Sequence, residues 1–298
     1  MSLVQYSDSE SDPEEQSNQS PHPSKKPRPN PKTPSLPPLP ASFHNLYASS
    51  TRISVQDDPN LHGGRVRVIP HIEGNWPTHL YLEWYPTKEE LSLLQDILSQ
   101  CQNLVDKNAQ PMHSLLHTDL GAQLPLHISL SRPVVLRTEQ RAEFTEALEK
   151  EIHDSRVLSF NVQPNRLYWS SNYEQTRWFL VLGVQKPRHD ELNRLLKLAN
   201  HALARFGQPP LYAAPAPLMQ GQESSAALPG RGGSPHMEDF SECFHISLAW
   251  SLSGPSVKER ERIDAINLQA LRETEVAFDS VKAKIGNIVT SIPLGKRS

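Results

Sequence analysis

Polar and apolar residues alternate in "THLYLEWYP", residues 78–86, as in a strand with one face against a core. Directly after it the period lengthens. Thr87 and Glu90 are spaced as a capping box, and Leu91, Leu94, Leu98 and Cys101 fall at helical spacing, which predicts a helix through "TKEELSLLQDILSQCQNLV". A second helix is predicted in "TEQRAEFTEALEKEI", where Phe144, Leu148 and Ile152 share a stripe. "SFNVQPNRLYWSSNYEQTRWFLVLGVQ" reads as two strands around a polar turn, followed by the helix "HDELNRLLKLANHALARF", closed by Gly207. Near the end, a helix capped by Ser256 with Glu259 precedes the hairpin "VKAKIGNIVTSIPL", which turns at Gly286-Asn287. Helices and largely antiparallel strands in two similar halves predict an α+β domain.

The similarity of the halves is literal at one place. "PLHISLSRP", residues 125–133, and "CFHISLAWS", residues 243–251, share the letters His-Ile-Ser-Leu, with 118 residues between His127 and His245. Strand alternation sends Leu126, Ile128 and Leu130 to one face and His127, Ser129 and Ser131 to the other. In the second copy Phe244, Ile246, Leu248 and Trp250 are assigned to the core face, and His245, Ser247 and Ser251 to the opposite one. Two such strands related by a pseudo-twofold axis would gather two imidazoles and two hydroxyls around one point, a cradle for a phosphate.

Composition narrows the setting. The first fifteen residues carry five acids, and "PHPSKKPRPNPKTPSLPPLP" holds nine prolines in twenty residues, so 1–62 reads as a disordered tail and 63–298 as the folded domain. "SKKPRPNPK" is either a nuclear localisation signal or a solvated charge run. Residues 213–243, rich in Ala, Pro, Gly and Ser, read as a flexible insertion ahead of the second motif. The net charge is −3; the tail contributes −2 (five Lys/Arg against seven Asp/Glu), leaving −1. That argues against a protein coating long nucleic acid and for a short substrate end. No run of 18 apolar residues and no signal-peptide layout occurs, so no membrane association is expected. Cys101 and Cys243 have neither disulfide-framework nor zinc-site spacing. His113 and His117 in "HSLLH", near Asp119, are spaced like zinc ligands but lack the glutamate of a metalloprotease helix, and a surface or loop role is expected.

The pair of histidines suits one reaction. Cleaving RNA through its own 2′-hydroxyl needs one group to take that proton and another to protonate the leaving 5′-oxygen, and imidazole can do either near neutrality. The serine hydroxyls would donate to the non-bridging oxygens. No metal or other cofactor is required. A lone His-x-Ser carries no weight, since His22-Pro-Ser24 and His153-Asp-Ser155 also fit it; two copies inside matching alternating strands do.

Paired His-x-Ser strands with apolar flanks resemble the 2H phosphoesterase superfamily. Within it, "VRVIPHIEGNWPTHLYLEW", "LPLHISLSRPVVLR", "NYEQTRWFLVLGV", "FHISLAW" and "VKAKIGN" are similar to the family of U6 small nuclear RNA phosphodiesterases. The resemblance implies a two-lobed, pseudosymmetric fold in which antiparallel sheets line a central groove with helices outside. It also implies 3′-to-5′ trimming of the oligouridine tail of U6 RNA in the nucleus, leaving a 2′,3′-cyclic phosphate that some fungal relatives open to a 3′-phosphate. By it, His127 and His245 are catalytic, Ser129 and Ser247 bind phosphate, and Tyr212 stacks on the terminal base, although Ala213 and the insertion follow that tyrosine here. A monomer is expected. A 2H enzyme acting on cyclic nucleotides or other RNA ends, or a non-catalytic RNA-binding splicing subunit, remain the alternatives; substrate profiling separates them.

Overall fold

The computed structural model describes residues 72–105, 110–172, 174–212 and 238–296. The tail with its basic segment, and residues 213–237 of the insertion, lie outside the described residues. In chain order the elements are β1 (Asn75–Trp84), α1 (Lys88–Leu104), β2 (His113–Ser114), β3 (Leu126–Ser129), β4 (Val134–Arg137), α2 (Gln140–Ser155), β5 (Phe160–Val162), β6 (Pro164–Ser171), β7 (Trp178–Val184) and α3 (Glu191–Ala204). A short 3-10 turn (Ser241–Cys243) leads into β8 (His245–Ser251), α4 (Val257–Asp264), α5 (Gln269–Arg272), β9 (Val276–Phe278), β10 (Ser280–Ile285) and β11 (Ile288–Pro293).

Local chemistry sets the ends of these elements. Ahead of α1, Thr87 Oγ1 accepts from the Glu90 backbone N at 3.2 Å while the Glu90 carboxylate accepts from the Thr87 N at 2.7 Å. Ser256 and Glu259 close the same reciprocal pair ahead of α4. Each box satisfies backbone donors that the first helical turn leaves unpaired. Between β10 and β11 the two-residue loop opens on Gly286 at φ +60°, a conformation that suits glycine at that turn position. A Cβ there would also lie 2.6 Å from the Trp76 ring.

The main sheet is antiparallel throughout, in the order β11-β10-β1-β3-β8-β7-β6, with β2 added to β8 and β4 to β1. The sequence β1–α1–β3 answers to β7–α3–β8, and in each half the motif strand lies against the strand that opens the half. The two motif strands are central neighbours, paired at Ile128 and Ile246. One face of the sheet is core. Leu80, Leu82, Leu126, Ile128, Leu180, Leu182, Ile246 and Leu248 are buried with Leu94, Leu98 and Cys101 of α1, Phe144 and Leu148 of α2, and Leu195, Leu196 and Ala199 of α3. Each of the leucine, isoleucine and phenylalanine side chains contributes about 1.5–3 kcal/mol on burial. A one-residue slip of β3 would put Ile128 in water and His127 in the core, so the apolar positions lock the register that exposes the histidines.

The structure departs from the alternation reading at two places. Residues 159–185 form three strands rather than two, because Pro164 has no N–H to continue a ladder: β5 leaves to pair with β9, and β6 opens at the proline with a register shift. In β8 a bulge between the Leu180 and Val181 pairings sends both Leu248 and Ala249 into the core. The extra residue exchanges the faces expected for Trp250 and Ser251. Trp250 turns to the histidine side, opposite Phe179, and stacks on His113 with ring centroids 4.2 Å apart; Ser251 turns inward and is buried. His113 lies on β2, and His117 bridges to Gln123, so these two occupy strand and loop rather than one helical face.

Candidate active site

The pairing of Ile128 with Ile246 in antiparallel strands fixes the rest of the site. In the same register His127 stands across from Ser247 and Ser129 across from His245, all four half-buried on the face away from the core. The local twofold axis runs between the two isoleucines. Adjacent strands lie about 4.8 Å apart, so the four polar groups fall within reach of one tetrahedral phosphate. The third serine of the first motif is otherwise employed: Ser131 is buried and its Oγ accepts from the Leu80 backbone N at 2.8 Å.

Neighbouring strands complete the surface. β1 places Glu83 beside His127 and Tyr81 beside Ser129, and His79 one pleat further on, opposite Lys284 of β10. His79 Nε2 lies 3.2 Å from Ser129 Oγ. The His79, Tyr81 and His127 rings contact one another at centroid distances of 5.2 to 5.5 Å. On the other side Gly183 stands across from His245, and the Tyr168 ring meets His245 edge-on at 6.5 Å, with the Arg166 guanidinium 4.5 Å above the tyrosine. Arg166 is tied to Glu242 by its backbone carbonyl at 2.8 Å and its carboxylate at 3.1 Å.

Electrostatically the site disfavours protonation of its imidazoles. Burial, then the nearby His245, hold His127 down to about 4. Burial also lowers His245, opposed by the Cys243 carbonyl, which lies 2.7 Å from Nδ1. His79 is pushed down to about 3 by burial, His127 and Lys284. Three imidazoles that resist becoming cations together would be relieved by an anion among them. A cavity of about 250 Å³ behind Tyr168, lined by Trp169, Arg260, Ile263 and Asp264, contains none of the four motif side chains. Among the described residues no group of three or more His, Cys, Asp or Glu converges as a metal-ligand set.

Tyr212 stands at the end of the described chain before the insertion, with φ +52°. Its hydroxyl donates to the Cys243 carbonyl at 2.9 Å, the same oxygen that faces His245 Nδ1. Its ring stacks on Phe240 at 6.0 Å and meets Phe244 edge-on at 5.9 Å. Sequence reasoning missed His79, Lys284 and the shared Cys243 carbonyl. The signal for His79 was present in "THLYLEW", whose alternation puts it on the polar face, but only the sheet order reveals that this face adjoins the first motif.

Two His-x-Ser strands side by side at the centre of an antiparallel sheet, with helices behind, define a 2H phosphoesterase fold. The family named HVSL, described as an uncharacterised conserved protein, matches residues 37–293. The chain is 32% identical to U6 snRNA phosphodiesterase 1 of Neurospora crassa, over 90% of this chain and 77% of that protein. It is 27% identical to the human U6 snRNA phosphodiesterase 1, over 86% and 83%. The structure of Kluyveromyces marxianus Usb1 superposes with a TM-score of 0.53 at 18% identity, over 73% of this chain and 98% of that one, and so shares the fold. The chain therefore belongs to the HVSL family, the family of the U6 snRNA phosphodiesterase 1 proteins.

Proposed function

We propose that this protein is a phosphodiesterase that processes the 3′ end of U6 small nuclear RNA, removing terminal uridines by attack of the penultimate 2′-hydroxyl on the last phosphodiester bond. The observation that carries the reading is the pairing at Ile128 and Ile246, which brings both His-x-Ser units to one phosphate-sized point; relatives named as U6 snRNA phosphodiesterases, and a Usb1 structure with uridine monophosphate, support the substrate class.

In this reading His127, held neutral, accepts the 2′-hydroxyl proton. His245, whose imidazolium the Cys243 carbonyl stabilises through Nδ1–H, protonates the leaving 5′-oxygen from Nε2. Ser129 and Ser247 donate to the non-bridging oxygens, whose charge grows in the transition state. The O–P bond formed by the 2′-oxygen replaces the bond to the 5′-oxygen, so the product ends in a 2′,3′-cyclic phosphate. Tyr212, anchored beside His245 through Cys243, takes the terminal base against its ring. No step calls for a metal. The folded unit is residues 63–298, acting as a monomer in the nucleus, where the basic segment of the tail would direct it.

The test is incubation of the full chain with U6 RNA bearing an oligouridine tail, reading the 3′-end length and terminus. Loss of one nucleotide at a time, ending in a cyclic phosphate, is expected. His127→Ala and His245→Ala should each cost about 10²- to 10⁴-fold. Opening of small cyclic nucleotides without trimming would instead favour a different 2H activity.

A further inference from the structure

His79 is a half-buried histidine that this mechanism does not use, yet its Nε2 lies 3.2 Å from a serine that it does. The proton inventory of that contact is decisive. Ser129 Oγ carries one proton and can accept two hydrogen bonds. Phosphate oxygens of a bound diester only accept, so a Ser129 that holds the phosphate must give its single proton to it. The contact with His79 is then satisfied only if the imidazole is the donor. The other tautomer would draw the serine proton toward His79 and leave Ser129 nothing to give.

We propose that His79 is a positioning residue for Ser129: its Nε2–H donates to Ser129 Oγ and turns the only hydroxyl proton of that serine toward the phosphate. The proposal rests on the phosphodiesterase reading above. The ring is held for the task, stacked on Tyr81 at 5.2 Å and set edge-on to His127 at 5.3 Å. Of the groups around it, Lys284, opposite on β10, and His127, alongside, disfavour a cationic ring, while Glu83, further along β1, faces Lys282 at 3.9 Å. Burial, then His127 and Lys284, hold the ring at about 3, so it is neutral and carries one ring proton near neutrality. The chain Nε2–H···Oγ–H···O–P then polarises in one direction.

The device exists in one half only. Tyr81 pairs with Ser129 as Val181 pairs with Ser247, and the residue two before Val181, the counterpart of His79, is Phe179. Its ring has no N–H or O–H to offer. The two pseudosymmetric serines are therefore inequivalent, which supplies the control for the test.

The experiment is a double-mutant cycle in the full-length protein, reading kcat/KM on a short oligouridine and the affinity for uridine monophosphate. His79→Leu should cost about tenfold, the scale of one productive hydrogen bond. It should cost nothing further in a Ser129→Ala background and the full factor in a Ser247→Ala background. His79→Gln, whose side-chain amide can donate to the same oxygen, should recover activity to within about threefold. Equal losses in both serine backgrounds, no loss from His79→Leu, or a glutamine variant as poor as leucine would each overturn the proposal. Should the leucine variant fail to fold, His79→Asn, too short to reach Ser129, carries the same cycle. If the wild type does not trim oligouridine at all, the functional reading falls, and coupling in uridine monophosphate affinity still decides whether His79 acts through Ser129.

Discussion

Tyr212 can be dissected into a ring and a hydroxyl, and a separate magnitude is expected for each. Tyr212→Phe removes only the donor to the Cys243 carbonyl at 2.9 Å. That oxygen keeps its contact with His245 Nδ1 at 2.7 Å, so no buried acceptor is orphaned and the loss should be the net worth of one neutral hydrogen bond, about 0.5–1.5 kcal/mol, or roughly two- to twelvefold if all of it is felt in the transition state. Tyr212→Ala removes in addition the packing against Phe240 and Phe244. Truncating a packed aromatic typically costs about 3–5 kcal/mol of stability, and loss of the proposed base stack should cost a further 1–3 kcal/mol in substrate use. Denaturant unfolding reads the first and kcat/KM on oligouridine, taken well below the melting range, reads the second. An oligouridine ending in an abasic residue isolates the stack: on it, Tyr212→Ala should lose no more than Tyr212→Phe. Equal damage from alanine on the normal and abasic ends would refute base stacking, and a phenylalanine variant indistinguishable from wild type in both assays would show that the hydroxyl bond positions nothing.

Three further outcomes are expected. The profile of kcat/KM against pH should be bell-shaped with its maximum below pH 6.5, because burial lowers both His127 and His245 and the active form needs one neutral and one protonated ring; a maximum above pH 8 would contradict that environment. Stability should fall as pH drops from 6.5 toward 4, since the folded values of His79 (about 3) and His127 (about 4) lie below the ordinary histidine value, so the unfolded chain binds more protons. The loss at pH 5 is about 2 kcal/mol for each ring, and urea unfolding of His79→Leu should show the pH dependence reduced by about that amount. Deleting residues 1–62 should leave oligouridine trimming unchanged while reducing nuclear accumulation; loss of turnover would move the domain boundary into the tail.

How far the sequence alone leads can be seen residue by residue. The capping boxes at Thr87 and Ser256, the apolar stripes of α1 and α2, and the Gly286 turn rest on neighbours within a few positions, and all formed where the pattern placed them. The two His-x-Ser strands were legible for the same reason, because period-two burial fixes which face each side chain takes. The bulge at Leu248 and Ala249 was not legible. In "ISLAWS" only Ala249 interrupts the alternation, and so small a residue does not mark a bulge; the extra residue is imposed by the register with β7, a strand more than sixty residues earlier. His79 was hidden in another way: its strand and polar face were readable, but its closeness to Ser129 depends on β1 and β3 being sheet neighbours. The hydroxyl partner of Tyr212 lies across the insertion, beyond any local pattern.

The central claim is that the RNA supplies its own nucleophile to a pair of imidazoles. It is tested most directly by an oligouridine whose penultimate ribose alone is replaced by deoxyribose, compared with the all-ribose strand with and without a chelator. The substitution removes the attacking oxygen and leaves every phosphate contact in place. The deoxy strand should bind with little change and remain uncut, while the ribose strand is trimmed at the same rate in the chelator and leaves a cyclic phosphate. Trimming of the deoxy-substituted end at the ribose rate would contradict it.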